Sequence, residues 1–125
     1  VFEKWNGQWI QTAKLVPRGA RAGDWIGEAV AVHGDRIVLS GHHHDMVGSN
    51  SGVAYVYELR AGQWVEAKML QTSAASPNDE FSFALAISGS NLLATTPYEA
   101  GNVGAATVFT FAEELCGCGG AGCEA

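Results

Sequence analysis

Residues 41–50, GHHHDMVGSN, hold the densest run of metal-ligating and acid–base side chains in the sequence: three consecutive histidines lead into an aspartate, a glycine and two small polar residues. Imidazoles suit Zn²⁺, Cu²⁺ or Ni²⁺. In an extended loop alternate side chains face the same way, so His42 and His44 are expected to converge while His43 points opposite. With Asp45 they offer two or three ligands, short of a closed four-ligand zinc site unless a second chain contributes. The competing reading is a solvated recognition loop without metal, in which His43 and Asn50 belong to a partner surface. The residues leave both readings open.

No nucleophile, base or phosphate cradle accompanies this loop. The sequence lacks G-x-S-x-G, H-E-x-x-H and a P-loop, and nothing marks Ser40 before Gly41-His42 as a strand-to-helix nucleophile. The expectation is a protein that is not an enzyme. Trp5 and Trp25, which do not recur as tryptophan 55 residues further on (Arg60 and Glu80), are further candidates for a ligand or partner surface.

The three cysteines, Cys116, Cys118 and Cys123, all fall in the last ten residues, so no disulfide can staple the body of the chain. They are disulfide candidates towards a following segment or another chain, which would imply an oxidising compartment. Their C-x-C-x₄-C spacing is a poor zinc pattern.

The net charge of −6 argues against nucleic acid, which requires a basic face. The charge is uneven. Residues 1–22 carry Lys4, Lys14, Arg18 and Arg21 against Glu3 alone, while 66–125 carry seven acids against Lys68. Such asymmetry favours head-to-tail contacts or a solvated surface. No apolar run approaches the roughly 20 residues of a membrane span. The absence of an initiator Met and of a leader pattern is read as a mature chain or a fragment.

The elements that must position these residues come in two copies. GQWIQTAKL at 7–15 recurs as GQWVEAKML at 62–70, an offset of 55. Between 1–42 and 56–97 eleven positions are identical, among them Trp9/Trp64, Leu15/Leu70, Asp24/Asp79 and Gly34/Gly89. GVAYVYE at 52–58 then matches GAATVFT at 104–110 at an offset of 52, so the second copy has lost three residues in or beside the histidine stretch. Each copy reads as four short strands, in the first WIQTAKL, IGEAVAV, RIVLS and VAYVYEL. Gly34-Asp35 and Gly89-Ser90 mark two-residue hairpins, since glycine accepts positive φ. Four antiparallel strands at a period near 50 describe a propeller blade.

By recurrence, Asp24 and Asp79 are expected to accept turn hydrogen bonds and Trp9 and Trp64 to pack between blades; paired carboxylates or an aromatic sugar platform are the alternatives. His33, beside a hairpin turn, is expected to be solvated.

In order and spacing, W-x₄-K-L, then D-x-(F/I)-G-x-(A/S)-V-A-V-x-G-(D/N), then (I/L)-V-x-(S/G)-(G/A), then G-x-(A/V)-Y-V-Y resemble the FG-GAP repeat of integrin α-chain heads and other extracellular propellers. The name-giving pair falls at Ile26-Gly27 and Phe81-Ser82, and the resemblance covers residues 1–111. It implies an all-β fold of two four-stranded antiparallel blades: residues 1–8 as the end strand of a preceding blade, 9–59 as blade 1, 60–111 as blade 2, and 112–125 as a Cys/Gly-rich tail. It also implies a non-catalytic extracellular or cell-surface module of adhesion type, binding other proteins. Calcium often binds the equivalent loop of that family through spaced Asp/Asn oxygens; here the D-x-D-x-D-G run is missing, and imidazoles are poor calcium ligands. A zinc-like divalent ion is the metal alternative.

Two blades cannot close a propeller. The expectation is a fragment of a longer chain or an assembly of copies, with a self-assembling subunit of an extracellular fibre or coat, or a lectin-like carbohydrate-binding module, as the alternatives.

Overall fold

The computed structural model describes residues 1–112; the three cysteines of the tail lie outside them. The elements run β1 (Phe2–Trp5), β2 (Gln8–Gln11), β3 (Val30–His33), β4 (Arg36–Gly41), β5 (Val53–Arg60), β6 (Gln63–Leu70), β7 (Leu85–Ser88), β8 (Asn91–Thr96), the single turn α1 (Glu99–Asn102) and β9 (Ala105–Thr110). They form three antiparallel sheets, β1-β2, β3-β4-β5-β6 and β7-β8-β9, so the chain is all-β as its alternating β-branched and aromatic residues dictate. Among the described residues no helix is long and apolar enough to cross a membrane.

The sheets superimpose the repeat on itself. His33 pairs with Arg36 across Gly34-Asp35, and Ser88 with Asn91 across Gly89-Ser90, with φ of 56° at Gly34 and 57° at Gly89. The β1–β2 turn, Asn6-Gly7 (φ 49° and 80°), matches the β5–β6 turn, Ala61-Gly62 (φ 51° and 80°). Positive φ at both central residues is the turn type that follows the twist of a hairpin.

The sheets are offset from the repeat by one strand. WIQTAKL was expected to open the sheet of its own copy. Instead β2 pairs with β1, and its counterpart β6 pairs with β5 and closes the sheet of the first copy. The reason is local: β1–β2 and β5–β6 are tight hairpins, whereas a long turn segment separates β2 from β3. The strand expected over 26–32 is also shorter. Trp25 (φ 59°) and Gly27 (φ 90°) leave the extended region, and pairing begins at Val30.

The core lies on the two faces of the central sheet. Val38, Ala54 and Val56 pack on Phe81, Leu92, Ala94 and Phe111, with Leu85, Ile87 and Phe109 at the margin. Full burial of each larger apolar side chain contributes about 1.5–3 kcal/mol. The opposite face, Ile37, Leu39, Val53, Tyr55 and Tyr57, meets Val1, Leu15, Ile26 and Trp64. That face is only partly covered. A groove of about 820 Å³ opens between Val1, Leu15, Ile26, Val30, Val32 and Ile37.

Candidate functional site

The histidine loop is built from the end of β4. Gly41 O accepts the N–H of His44 at 2.9 Å, closing a turn with His42 and His43 at its centre. This turn overrides the alternation of an extended loop. His42 and His43, adjacent in the chain, lie with ring centroids 4.6 Å apart. His44 is drawn instead towards Asp24, its Nε2 3.8 Å from Oδ2. Asp45 is turned to its own loop, where Oδ1 accepts the Asn50 N–H at 2.8 Å. Of His42, His44 and Asp45, the structure therefore leaves only His42 in the group of side chains that, among the described residues, could hold a metal ion. That cluster is His42, His43 and Glu80, with one potential ligand atom from each, all within 4.8 Å of one another.

Glu80 comes from the second copy, and the backbone explains how it arrives. Ser49, Asn50 and Ser51 carbonyls accept the N–H groups of Asn78 (2.7 Å), Glu80 (3.0 Å) and Phe81 (3.0 Å). Gly52 lies directly against Phe81; a Cβ on Gly52 would sit 2.3 Å from Phe81 O and 2.4 Å from its N, so only glycine fits. Ser82 Oγ donates to Val53 O at 2.6 Å and accepts the Gly41 N–H at 3.4 Å. The loop is thus a stitched junction between the copies.

The expected turn-accepting role of the aspartates is what the geometry shows. Asp24 Oδ2 accepts the Arg21 N–H at 2.7 Å, and Asp79 Oδ2 accepts the Ser76 N–H at 2.8 Å; both residues are 5% exposed. Ser40 Oγ accepts the Ala29 N–H at 2.9 Å, and its counterpart Thr95 Oγ1 accepts that of Ala84 at 3.0 Å. Each Asp is followed by a residue with positive φ, Trp25 at 59° and Glu80 at 55°. A non-glycine residue held there costs about 1–2 kcal/mol, so it persists only where its surroundings fix it.

An aromatic row crosses the junction. Trp25 stacks on His43 at 4.6 Å and 26°, His43 meets His42 edge-on, and His42 lies 5.3 Å from Phe83. Trp25 and Phe83, at the ends, are 57% and 43% exposed. His42 is 2% exposed, and its Nδ1 is buried without a hydrogen-bond partner. Burial first, and His43 second, hold the His42 imidazole below its ordinary titration range, against the pull of Glu80 and Glu28.

The other surface candidates are dispersed. Trp5 is 68% exposed on β1, whereas Trp25 lies in the turn segment between β2 and β3, and the main chain of Asn50 (φ 54°) accepts the Glu80 N–H at the junction. Trp64 packs against the central core, whereas its counterpart Trp9 is 67% exposed on β2. Sequence reasoning missed Glu80 and Phe83. Glu80 was legible only as the position where the second copy replaces Trp25.

The residues do not fit calcium. Two imidazoles and one carboxylate supply the cluster, and the nearby Asp45 oxygen is already an acceptor within its loop.

Antiparallel sheets packed face to face, each repeating one turn-and-strand unit, define a repeat protein of blade type. Residues 9–57 match the family model of the FG-GAP repeat, in line with the resemblance carried by the order and spacing of the repeat motifs. Comparison with curated proteins finds no match. Repeats of this family are typical of extracellular β-propeller modules that take part in protein interactions.

Proposed function

We propose that the chain is a non-catalytic, extracellular recognition module of adhesion type, binding other proteins through the aromatic row at its inter-repeat junction. The observation that carries this reading is Trp25: a large ring 57% exposed, held at positive φ after a buried aspartate and stacked on His43. A pre-positioned, exposed tryptophan loses little entropy on binding, and tryptophan is among the residues that dominate interface energetics. Sheets hold the loops rigidly, which suits recognition.

Adhesion of cells to a surface coated with the protein tests the reading. Wild-type protein is expected to support attachment, and Trp25→Ala to lose most of it with its β-sheet circular dichroism unchanged. Equal attachment by the two proteins, or none by either, contradicts it. A glycan array run in parallel separates the lectin-like alternative, which requires saccharide binding that Trp25→Ala abolishes.

A second reading, association of copies through their blade faces, is favoured by the groove. Val30 and Val32, 60% and 66% exposed, are repeat counterparts of Leu85 and Ile87, which pack on Val38, Ala54 and Val56 within the chain. Leu93 and Val108, 41% and 62% exposed, are counterparts of Val38 and Val56. Each open face thus copies one side of a contact that the chain already makes. β1 and β9 are both counterparts of β5, however, so a head-to-tail partner must displace one of them. Light scattering distinguishes the readings: multiples that revert to 13.1 kDa in Val32→Asp support association, and a wild-type monomer excludes it.

A further inference from the structure

We propose that His42, His43 and Glu80 bind one divalent transition-metal ion of the Zn²⁺, Ni²⁺ or Cu²⁺ class, joining the two repeats at their junction. The proposal stands on the cluster's geometry and is independent of the recognition reading.

His43 Nε2 lies 3.7 Å from Glu80 Oε1, and all three potential ligand atoms fall within 4.8 Å of one another. Ligand atoms around a tetrahedral ion at 2.0–2.1 Å stand about 3.4 Å apart. Small side-chain rotations therefore bring the set to bonding distance. Burial separates this cluster from an ordinary surface grouping: His42 is 2% exposed, and the side chains of His43 and Glu80 are 25% and 19% exposed.

Three further features favour a metal. A buried imidazole nitrogen without a hydrogen bond carries an unmet desolvation penalty, as Nδ1 of His42 does. Two imidazoles and a carboxylate select borderline transition metals over calcium or magnesium. The ligands are also preorganised from both sides, the histidines by the turn after β4 and Glu80 by its N–H bond to Asn50 O at 3.0 Å. Three protein ligands leave a position for water or for a group on a bound partner. A metal here ties the end of β4 to the segment that leads into β7.

Titration of the full-length chain with Co²⁺, followed by its visible ligand-field bands, tests the site. The tail cysteines are a competing ligand set, and thiolate ligation adds a sulfur-to-cobalt charge-transfer band that imidazoles and carboxylates do not give. Wild-type protein, and a full-length variant carrying Cys116→Ser, Cys118→Ser and Cys123→Ser, are expected to bind one Co²⁺ with ligand-field bands. His43→Ala and the isosteric Glu80→Gln should each weaken that binding at least about tenfold. His33→Ala, on an exposed hairpin, should leave it unchanged. Co²⁺ should also raise the unfolding midpoint of the wild type and not that of Glu80→Gln. If His43→Ala fails to fold, Glu80→Gln decides. Binding only through thiolates, or affinity unchanged by Glu80→Gln, overturns the proposal.

Discussion

Trp25 and Glu80 occupy the same place in successive repeats, at φ of 59° and 55°, and both engage His43: Trp25 stacks on its ring at 4.6 Å, and Glu80 Oε1 lies 3.7 Å from its Nε2. One backbone device, a buried aspartate followed by a left-handed residue, therefore delivers an aromatic ring from one copy and a carboxylate from the other to a single imidazole. The repeat makes the scaffold, and the divergence of the repeat makes the site.

Gly52→Ala should break the junction. Its Cβ would meet Phe81 backbone atoms at 2.3 Å and 2.4 Å, at a φ of 92° that alanine resists. A loss of at least about 2 kcal/mol is expected in urea unfolding. Gly27→Ala provides the contrast: it shares the positive φ (90°) but has open space around it, so only the smaller backbone penalty of about 1–2 kcal/mol should appear.

Phe81→Ala should be more severe. Phe81 is fully buried between the repeats, against Val38, Val56 and Leu92. Emptying that place is expected to cost about 3–5 kcal/mol, read as a drop in the unfolding midpoint. Val103, 81% exposed beyond α1, should tolerate alanine with no measurable change.

Ser82→Ala removes a hydroxyl that donates to Val53 O at 2.6 Å and accepts from Gly41 N–H. Both backbone groups lose a buried partner, so about 1–3 kcal/mol of stability should be lost. The same change at its counterpart cannot be made, because Gly27 already lacks the hydroxyl.

Two groups give opposite pH limbs. Burial, then Glu66, push the Tyr57 phenol up to about 12. A folded value above the unfolded one of about 10 means stability that is full below pH about 10 and falls between there and 12. Tyr57→Phe should remove that limb of the unfolding curve. The hydrogen bond from Arg60 at 2.6 Å, aided by Arg36 and opposed by burial, holds the Glu58 carboxyl below its usual range. Its contribution is present above the unfolded carboxylate value and lost as pH falls through the lower folded one. Glu58→Gln should flatten the acid limb.

Much of the scaffold was legible because backbone geometry at punctuating residues is local. Gly34 and Gly89 foretold their hairpins, and Asp24 and Asp79 their turn bonds, since each needs only a few residues of chain. Alternation foretold that β3, β4 and β5 pair. It could not tell that β6 rather than β2 closes their sheet, because which hairpin wins depends on the tightness of Ala61-Gly62 against the long stretch before β3. The site was less legible. Choosing His44 and Asp45 over His43 assumed an extended loop, and the Gly41–His44 turn reversed that choice. Glu80 lies 37 residues beyond His43 in the chain and is brought to it by long-range bonds to the Ser49, Asn50 and Ser51 carbonyls, which no local pattern announces.

Amide hydrogen exchange at Glu80, Phe81 and Gly52 tests most directly whether the histidine loop is an inter-repeat junction that positions the aromatic row. These three N–H groups bond to Asn50 O, Ser51 O and His44 O at 3.0, 3.0 and 2.9 Å. Protection on the scale of Val38 and Val56 in the central sheet is the predicted result. Exchange at the rate of an exposed loop amide such as that of Met46 would mean that the copies are not locked together, contradicting the junction.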